Sequence, residues 1–346
     1  MPHNFRPTMQ AGGWVEQLQG SLPKGAQRPC NAAGTQAKHR FVMAGRLAKS
    51  MDTRTSDDMD TPVIFDRKAV RQHRDRAAQT QERVTPVLEV VTDILLDRLD
   101  DMVRNFTCAL DIGGRGMTSQ RLAARGICTI STDLSPRLVA RSGGPNVCAD
   151  AEWLPFAPQS FDLVIANLSL HWVNDLPGVF SQIRHVLRPD GLFLASMPIL
   201  PTLRPLRTAL EAAELALCDG VSPRVSPFPT QQSCAQLMQR AGFALPVIDT
   251  EQLDLHYRSL TALMADLRAA GETNALVHRT RRPAPRLLFP ATAAELEQPD
   301  AQGFAMPLHM AVLSGWAPAP TQPVPLQPGQ FQHSLHDALH QPRQTP

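Results

Sequence analysis

Leu110-Asp111-Ile112-Gly113-Gly114-Arg115-Gly116-Met117 joins a short apolar run to an amphipathic one through an acid and three glycines. Residues 106–111 read as a strand and 117–124 as a helix. Glycines at such a turn either let the backbone approach a ligand closely or simply make the turn tight. Downstream, strands are predicted at 127–132, 146–149, 161–167 and 191–197, the last behind the turn Arg188-Pro189-Asp190-Gly191. Helices are predicted at 136–141 and 176–187. Upstream, a charged helix follows Phe65 and runs through 81–103, with Val84, Val87, Leu88, Val91, Leu95 and Leu99 at helical spacing. Near-continuous apolar strands alternating with helices predict an α/β fold, a parallel sheet covered on both faces.

The chain of 346 residues is long enough for about two domains of ~150 residues, with 43% hydrophobic residues to bury. Its 34 basic and 32 acidic groups leave a net charge of +2, a balance that argues against a nucleic-acid binder needing a basic stripe. No stretch approaches the ~20 apolar residues of a membrane span, so a soluble or at most peripheral protein is expected. Lysine occurs only at Lys24, Lys38, Lys49 and Lys68. Schiff-base chemistry and a Walker A loop need a lysine inside the folded domain, and with none after Lys68, ahead of every predicted strand, both are excluded. The six cysteines contain no CxxC pair, and no metal site is expected. Cys108, Cys128 and Cys148 lie in apolar runs and read as buried thiols of a reducing compartment.

Both ends differ from the middle. Residues 1–58 lack an apolar period and are predicted to be disordered. Glu16 is the sole acid in the first 50 residues. Such a segment is either a dispensable extension ahead of a start at Met43, Met51 or Met59, or a transit peptide. The stretch 317–346 is proline-rich and also reads as a disordered tail. In it His333, His336 and His340 would share one helical face, without acidic or cysteine partners. The folded body is 59–316, with a lid or insert at about 200–240.

In an open parallel sheet, ligands gather at the carboxyl ends of the strands. Asp111 and the glycines follow the first strand here. Asp133, 22 residues further on, follows the second. It is suited either to ribose hydroxyls or to capping a helix, since Asp133-Leu-Ser135-Pro136 also has the pattern of a cap. Asp150-Ala151-Glu152-Trp153-Leu154-Pro155-Phe156 follows the third strand, and Asn167 then Ser169-Leu-His171-Trp172-Val-Asn174-Asp175 the fourth. Four polar loops at four successive strand ends point to one ligand site. Gly114-Arg-Gly116-Met-Thr-Ser119 can also be read as a variant dinucleotide loop with Asp133 as its acid.

This series, with Phe161-Asp-Leu-Val-Ile-Ala-Asn167 and Leu187-Arg-Pro-Asp-Gly191, resembles the class I S-adenosylmethionine-dependent methyltransferases, among them the malonyl-carrier-protein methyltransferases. Phe65-Asp-Arg67, Ser169–Pro177, Ser222-Pro-Arg-Val-Ser-Pro-Phe228 and Asp266-Leu-Arg-Ala-Ala-Gly-Glu-Thr-Asn-Ala275 are more similar to the methyltransferase-like assembly factors of respiratory complex I. Those are arginine hydroxylases of mitochondria with proteobacterial relatives. The resemblance spans about 64–316. It implies a Rossmann-like fold with a mostly parallel seven-stranded sheet, and S-adenosylmethionine as cofactor. Asp111, Gly113 and Gly114 would then line the methionine end, Asp133 the ribose, Asp150 and Ala151 the adenine, and Asn167 the sulfonium side. One departure stands out. Arg115 and Met117 occupy glycine positions of the usual loop unless one residue has been lost, and Arg115 would either crowd the cofactor's carboxylate or pair with it.

His171 is the candidate general base, with a structural histidine as the alternative. Trp172 reads as a pocket wall, while Asn174 and Asp175 read as caps of the next helix. Arg224 and Ser226 are candidate acceptor contacts, or parts of a loop stiffened by prolines. Gly271-Glu272-Thr273-Asn274 ends a helix over 259–269 and reads as a C-cap, to which the resemblance adds a functional reading. Methyl transfer to a small-molecule, carrier-protein or protein acceptor leads, linked to complex I assembly. Hydroxylation of an arginine on a complex I iron–sulfur subunit is the alternative, although no facial His/His/carboxylate spacing is present. A non-catalytic chaperone keeping the pocket is the third reading. The expected location is the bacterial cytoplasm, or the mitochondrial matrix if the first segment is a transit peptide.

Overall fold

The computed structural model describes residues 8–10, 63–218, 220–297 and 303–323. Asp66 begins the ordered body: its carboxylate accepts from the amides of Lys68 and Ala69 and caps α1 (Arg67–Ala77). A 3₁₀ turn (Gln81–Val84) follows and then α2 (Thr85–Asp100), whose apolar stripe Leu88, Val91, Leu95 and Leu99 is buried. The one helix expected from Phe65 through 103 is therefore broken in two between Ala77 and Thr85, and it ends three residues early. Pro86 has no N–H to give to a preceding turn, so the α-helix starts beside it. Beyond Asp100, Val103 is fully exposed and has nothing to pack on.

The chain then alternates as expected: β2 (Cys108–Ile112), α3 (Met117–Ala124), β3 (Cys128–Asp133), α4 (Pro136–Val139), β4 (Asn146–Cys148), β5 (Phe161–Asn167), α5 (Leu176–Val186) and β6 (Leu187–Pro198). After these come α6 (Arg204–Leu217), α7 (Gln231–Arg240), β7 (Ala244–Tyr257), α8 (Leu260–Ala270), α9 (Leu288–Leu296), β8 (Phe304–Ala305) and β9 (Leu308–Trp316). A three-residue strand β1 (Thr8–Gln10) pairs with β7, inside a segment that the sequence leaves without elements. The rest of 1–58 and the histidine cluster of the tail lie outside the described residues.

The sheet runs β1-β7-β9-β6-β5-β2-β3-β4, with β8 added beside β7. Strands β4, β3, β2, β5 and β6 are mutually parallel, and β9 lies antiparallel between β6 and β7. Seven of the nine strands thus form the mostly parallel sheet, and the two short ones extend its β7 edge. β5 is buried along its whole length, which is why residues 161–167 show no polar alternation. Asp162 sets its register: its carboxylate accepts from the amides of Thr107 and Cys108 and from the Thr107 hydroxyl. β7 begins at Ala244, and much of its first half is solvent-facing and carries no apolar run. The stretch expected as a lid contributes α6 and α7, and α7 seats Cys234 and Met238 in the core below the sheet. The thiols of Cys128 and Cys148 are exposed rather than buried. They begin β3 and end the edge strand β4, where one side of the ladder faces water.

Phe193 on β6 sits between Phe180 and Phe243, with ring centroids 5.5 and 5.3 Å away, and is fully buried. Phe193→Ala removes the centre of that stack. It should cost about 3–5 kcal/mol in urea unfolding; a loss below about 1 kcal/mol would place the core elsewhere.

Candidate active site

The glycine turn after β2 is held under the end of β3: the amides of Gly113 and Gly114 both donate to the Thr132 carbonyl, at 2.7 and 2.9 Å. Gly113 has φ +75°, and a Cβ there would lie 2.2 Å from the Ser169 side chain. Both backbone conformation and space therefore require glycine. The turn opens onto a cleft of about 380 Å³ lined by Gly113, Asp133, Leu134, Ala151, Ser169 and Trp172, with Arg67 and Arg74 of α1 above it. Two acids of this edge are held by those arginines. Arg74, itself buried, bonds both carboxylate oxygens of Asp133 and reaches the Gly113 carbonyl. Arg67 bonds Asp150 and the Trp172 carbonyl.

Beyond the turn lies a second cavity, of about 830 Å³, between the end of the sheet and α8. Its walls are apolar: Val84, Val87, Leu88, Leu203, Phe228, Leu255, Leu263, Leu267 and Met306. The charged groups at its rim and floor are paired, Arg83 with Asp266 and Arg115 with Glu272. Glu272 links this chamber to the cleft. Its Oε2 accepts from His171 Nε2 at 2.7 Å and from Trp172 Nε1 at 2.8 Å. His171 faces the chamber and Trp172 the cleft, so a single carboxylate ties the wall between them.

The structure brings Gly113, Asp133, Ala151 and Trp172 together at the cleft, with Asp150 joined to it through Arg67, while Asp111 and Gly114 lie behind the turn against Ser131 and do not line it. Asn167 lies one layer deeper: its amide donates to Thr92 and its carbonyl accepts from Ser196. Arg224 and Ser226 line neither cavity. Arg224 pairs with the buried Glu214 of α6, and the Ser226 carbonyl holds Arg207, while Phe228 of the same loop reaches the chamber. Asp175 caps α5 as expected. Asn174 instead accepts from the amides of Ile64 and Phe65, tethering the segment ahead of α1. Arg115 turns away from the cleft to the Leu168 carbonyl and the chamber, and Met117 packs near Thr92 on α2. Neither of the side chains in glycine positions crowds the cleft. Arg74 has no sequence sign beyond the charge of α1. Arg67 and Glu272 lie in the family-like segments Phe65-Asp-Arg67 and Asp266–Ala275, in which neither side chain has a sequence-assigned role of its own.

A parallel sheet with a glycine turn after one strand and acids at the ends of the next two is that of a Rossmann-like, nucleotide-cofactor enzyme. A family profile described as "Methyltransferase domain" matches residues 110–195, which span the turn and both acids. The chain is 38% identical over 258 residues to the Arginine-hydroxylase NDUFAF5, mitochondrial, of Rattus norvegicus, covering 69% of this chain and 75% of that one. The protein of the same name from Danio rerio is 32% identical over 285 residues, 79% of this chain and 89% of that one. The Malonyl-[acyl-carrier protein] O-methyltransferase of Xylella fastidiosa is 34% identical over 270 residues, 75% of this chain and 90% of that one. The chain belongs to this group of class I S-adenosylmethionine-dependent methyltransferases.

Asp111 is the least satisfied acid of the site. It is 1% exposed, and its one hydrogen bond is a long contact, 3.4 Å, from the Ser131 hydroxyl. Burial pushes its carboxyl up to about 7; Asp133 adds to this, and the Ser131 hydrogen bond, Arg115 and Arg74 offset only part. An acid whose folded value is raised keeps its proton in the folded chain while the unfolded chain has lost it. Stability therefore falls as pH rises from about 4 to about 7. Asp111→Asn should remove this penalty, raising stability over the wild type by on the order of 2–4 kcal/mol at pH 8. Thermal unfolding of both at several pH values checks it: the two curves should converge near pH 4, and a gap independent of pH would refute the assignment.

Proposed function

We propose that the chain transfers a methyl group from S-adenosylmethionine to an acceptor held in the apolar chamber, in the setting of respiratory complex I assembly. The observation that carries this is the adjacency of two cavities of unlike chemistry, one polar at the strand ends and one apolar, across the wall of His171, Trp172, Arg115 and Glu272. The residues present fit the cofactor. A buried carboxylate with one weak partner, Asp111, calls for a cation such as the ammonium of the methionine end. The Gly113–Gly114 backbone leaves room for close approach, Asp133 would take the ribose hydroxyls, and Ala151 with Asp150 would flank the adenine. Asp133 has about four lone-pair sites. Arg74 and the Ser135 amide already use most of them, so Arg74 gives up part of its hold when the ribose binds.

When bound, the cofactor supplies an activated methyl group on a sulfonium. The chain's contribution is alignment and exclusion of water, worth up to ~7–11 kcal/mol in favourable intramolecular cases. α1 roofs the cleft through Arg67 and Arg74. Trp172, 4% exposed with Phe65 edge-on at 5.2 Å, is a rigid wall of it. His171 is the base candidate on the chamber side.

The relatives named arginine-hydroxylases favour a second reading, hydroxylation of an arginine on an iron–sulfur subunit of complex I. No helix among the described residues is long and apolar enough to cross a membrane. We assign the activity to the bacterial cytoplasm, or to the mitochondrial matrix if 1–58 is a transit peptide. One experiment separates the two chemistries. The full chain is incubated in air with S-adenosylmethionine, a reductant and either a complex I iron–sulfur subunit or malonyl-carrier protein, and the acceptor is weighed by mass spectrometry. A gain of one CH2 supports methyl transfer. A gain of one oxygen supports the second reading, and an unchanged mass in both would leave the non-catalytic chaperone.

A further inference from the structure

Glu272 follows the Gly271 cap of α8, yet its side chain does not close the helix. It reaches instead to two consecutive residues of the loop after β5, accepting from His171 Nε2 and Trp172 Nε1, with Arg115 Nη2 3.6 Å from its other oxygen. Burial works to raise this carboxyl, but the His171 group, Arg115 and the indole N–H hold it at about 2. An ionised carboxylate only accepts, so the Nε2 it contacts carries the proton and, in the neutral ring, the lone pair lies on Nδ1. Nδ1 is buried and has no partner among the described residues. Arg115 Nε in the same wall is likewise unpartnered among them, as is Oε1 of Gln81 behind it, whose amide holds the Arg115 carbonyl. Buried polar groups are rarely left so, and a cluster of them beside a cavity marks where a ligand completes the hydrogen bonding.

We infer that Glu272 is a positioning residue that fixes His171 in its Nε2–H form, so that Nδ1 accepts the proton of a protic nucleophile with a mainly apolar body seated in the chamber. This rests on the reading of the chamber as the acceptor site. The acceptor's X–H bond breaks, the proton bonds to Nδ1, and the electron pair stays on X for its attack. The imidazolium so formed is held by the Glu272 charge. The apolar body follows from the walls, such as Leu263, Phe228 and Met306, and from the rim pairs, which leave no free charge for an ionic ligand.

The test is a long-range ¹H–¹⁵N correlation spectrum of the full chain labelled on histidine, with His171→Gln assigning the signal. The wild type should show the Nε2–H tautomer, and 1-naphthol should move the Nδ1 resonance while 1-methoxynaphthalene, which lacks the proton, does not. Glu272→Gln should give a mixture of tautomers, and Glu272→Asp should restore part of the preference. Labelled S-adenosylhomocysteine in equilibrium dialysis should bind the wild type, which reads the cofactor cleft separately from the tautomer. An Nδ1–H tautomer in the wild type, a spectrum unchanged in Glu272→Gln, or no response to 1-naphthol overturns the proposal. Failure of the wild type to bind S-adenosylhomocysteine overturns the methyltransferase reading instead, and the tautomer result stands apart from it.

Discussion

The buried pair of Arg74 and Asp133 is the constraint around which the site is arranged. Asp133 ends β3 and is 2% exposed; Arg74 comes from a helix about sixty positions earlier and is 4% exposed. A charge taken that far from water is tolerated only with a close partner, and removing either one leaves the other uncompensated. The pair therefore pins α1 over the strand ends, and Arg67 with Asp150 repeats the arrangement one strand further out. From this roof follow the closed form of the cleft, the wall position of Trp172, and the separation of the cleft from the chamber. It also sets a condition on function, since the carboxylate that would take a ribose is the one that holds the roof.

The sheet was legible because β5 and the second half of β6 are nearly continuous apolar runs and because each strand end is followed by turn residues. The order of polar loops then located the cleft. Less legible were features made by distance along the chain. α1 reads as a charged surface helix, and only the folded chain shows that Arg74 points inward to Asp133. Arg115 stands in a glycine position and suggests a blocked loop, but the turn sends its side chain to the Leu168 carbonyl. Arg224 and Ser226 sit in a motif with site-like chemistry, and Glu214, an interior residue of α6, claims the arginine. Asn167 ends its strand as expected, with Thr92 and Ser196 rather than the cleft as its partners.

Glu272 shows the same limit from the other side. A polar residue after a helix-ending glycine ordinarily satisfies the helix. Here Ser259 caps the start of α8 and Gly271 closes its end, which frees the carboxylate to bind two side chains about a hundred positions away. Helix end, strand-end loop and glycine turn meet at that one group. The proposed transfer runs across that wall, between the cleft and the apolar chamber.

Entry of the cofactor into the cleft under α1 depends on Arg74 loosening its hold on Asp133. Calorimetric titration of the full chain with S-adenosylmethionine measures it. Saturable one-to-one binding with a dissociation constant on the order of 1 μM is expected. Absence of binding heat, with the chain folded, would mean that Arg74 keeps the acid and that the cleft is closed to the cofactor.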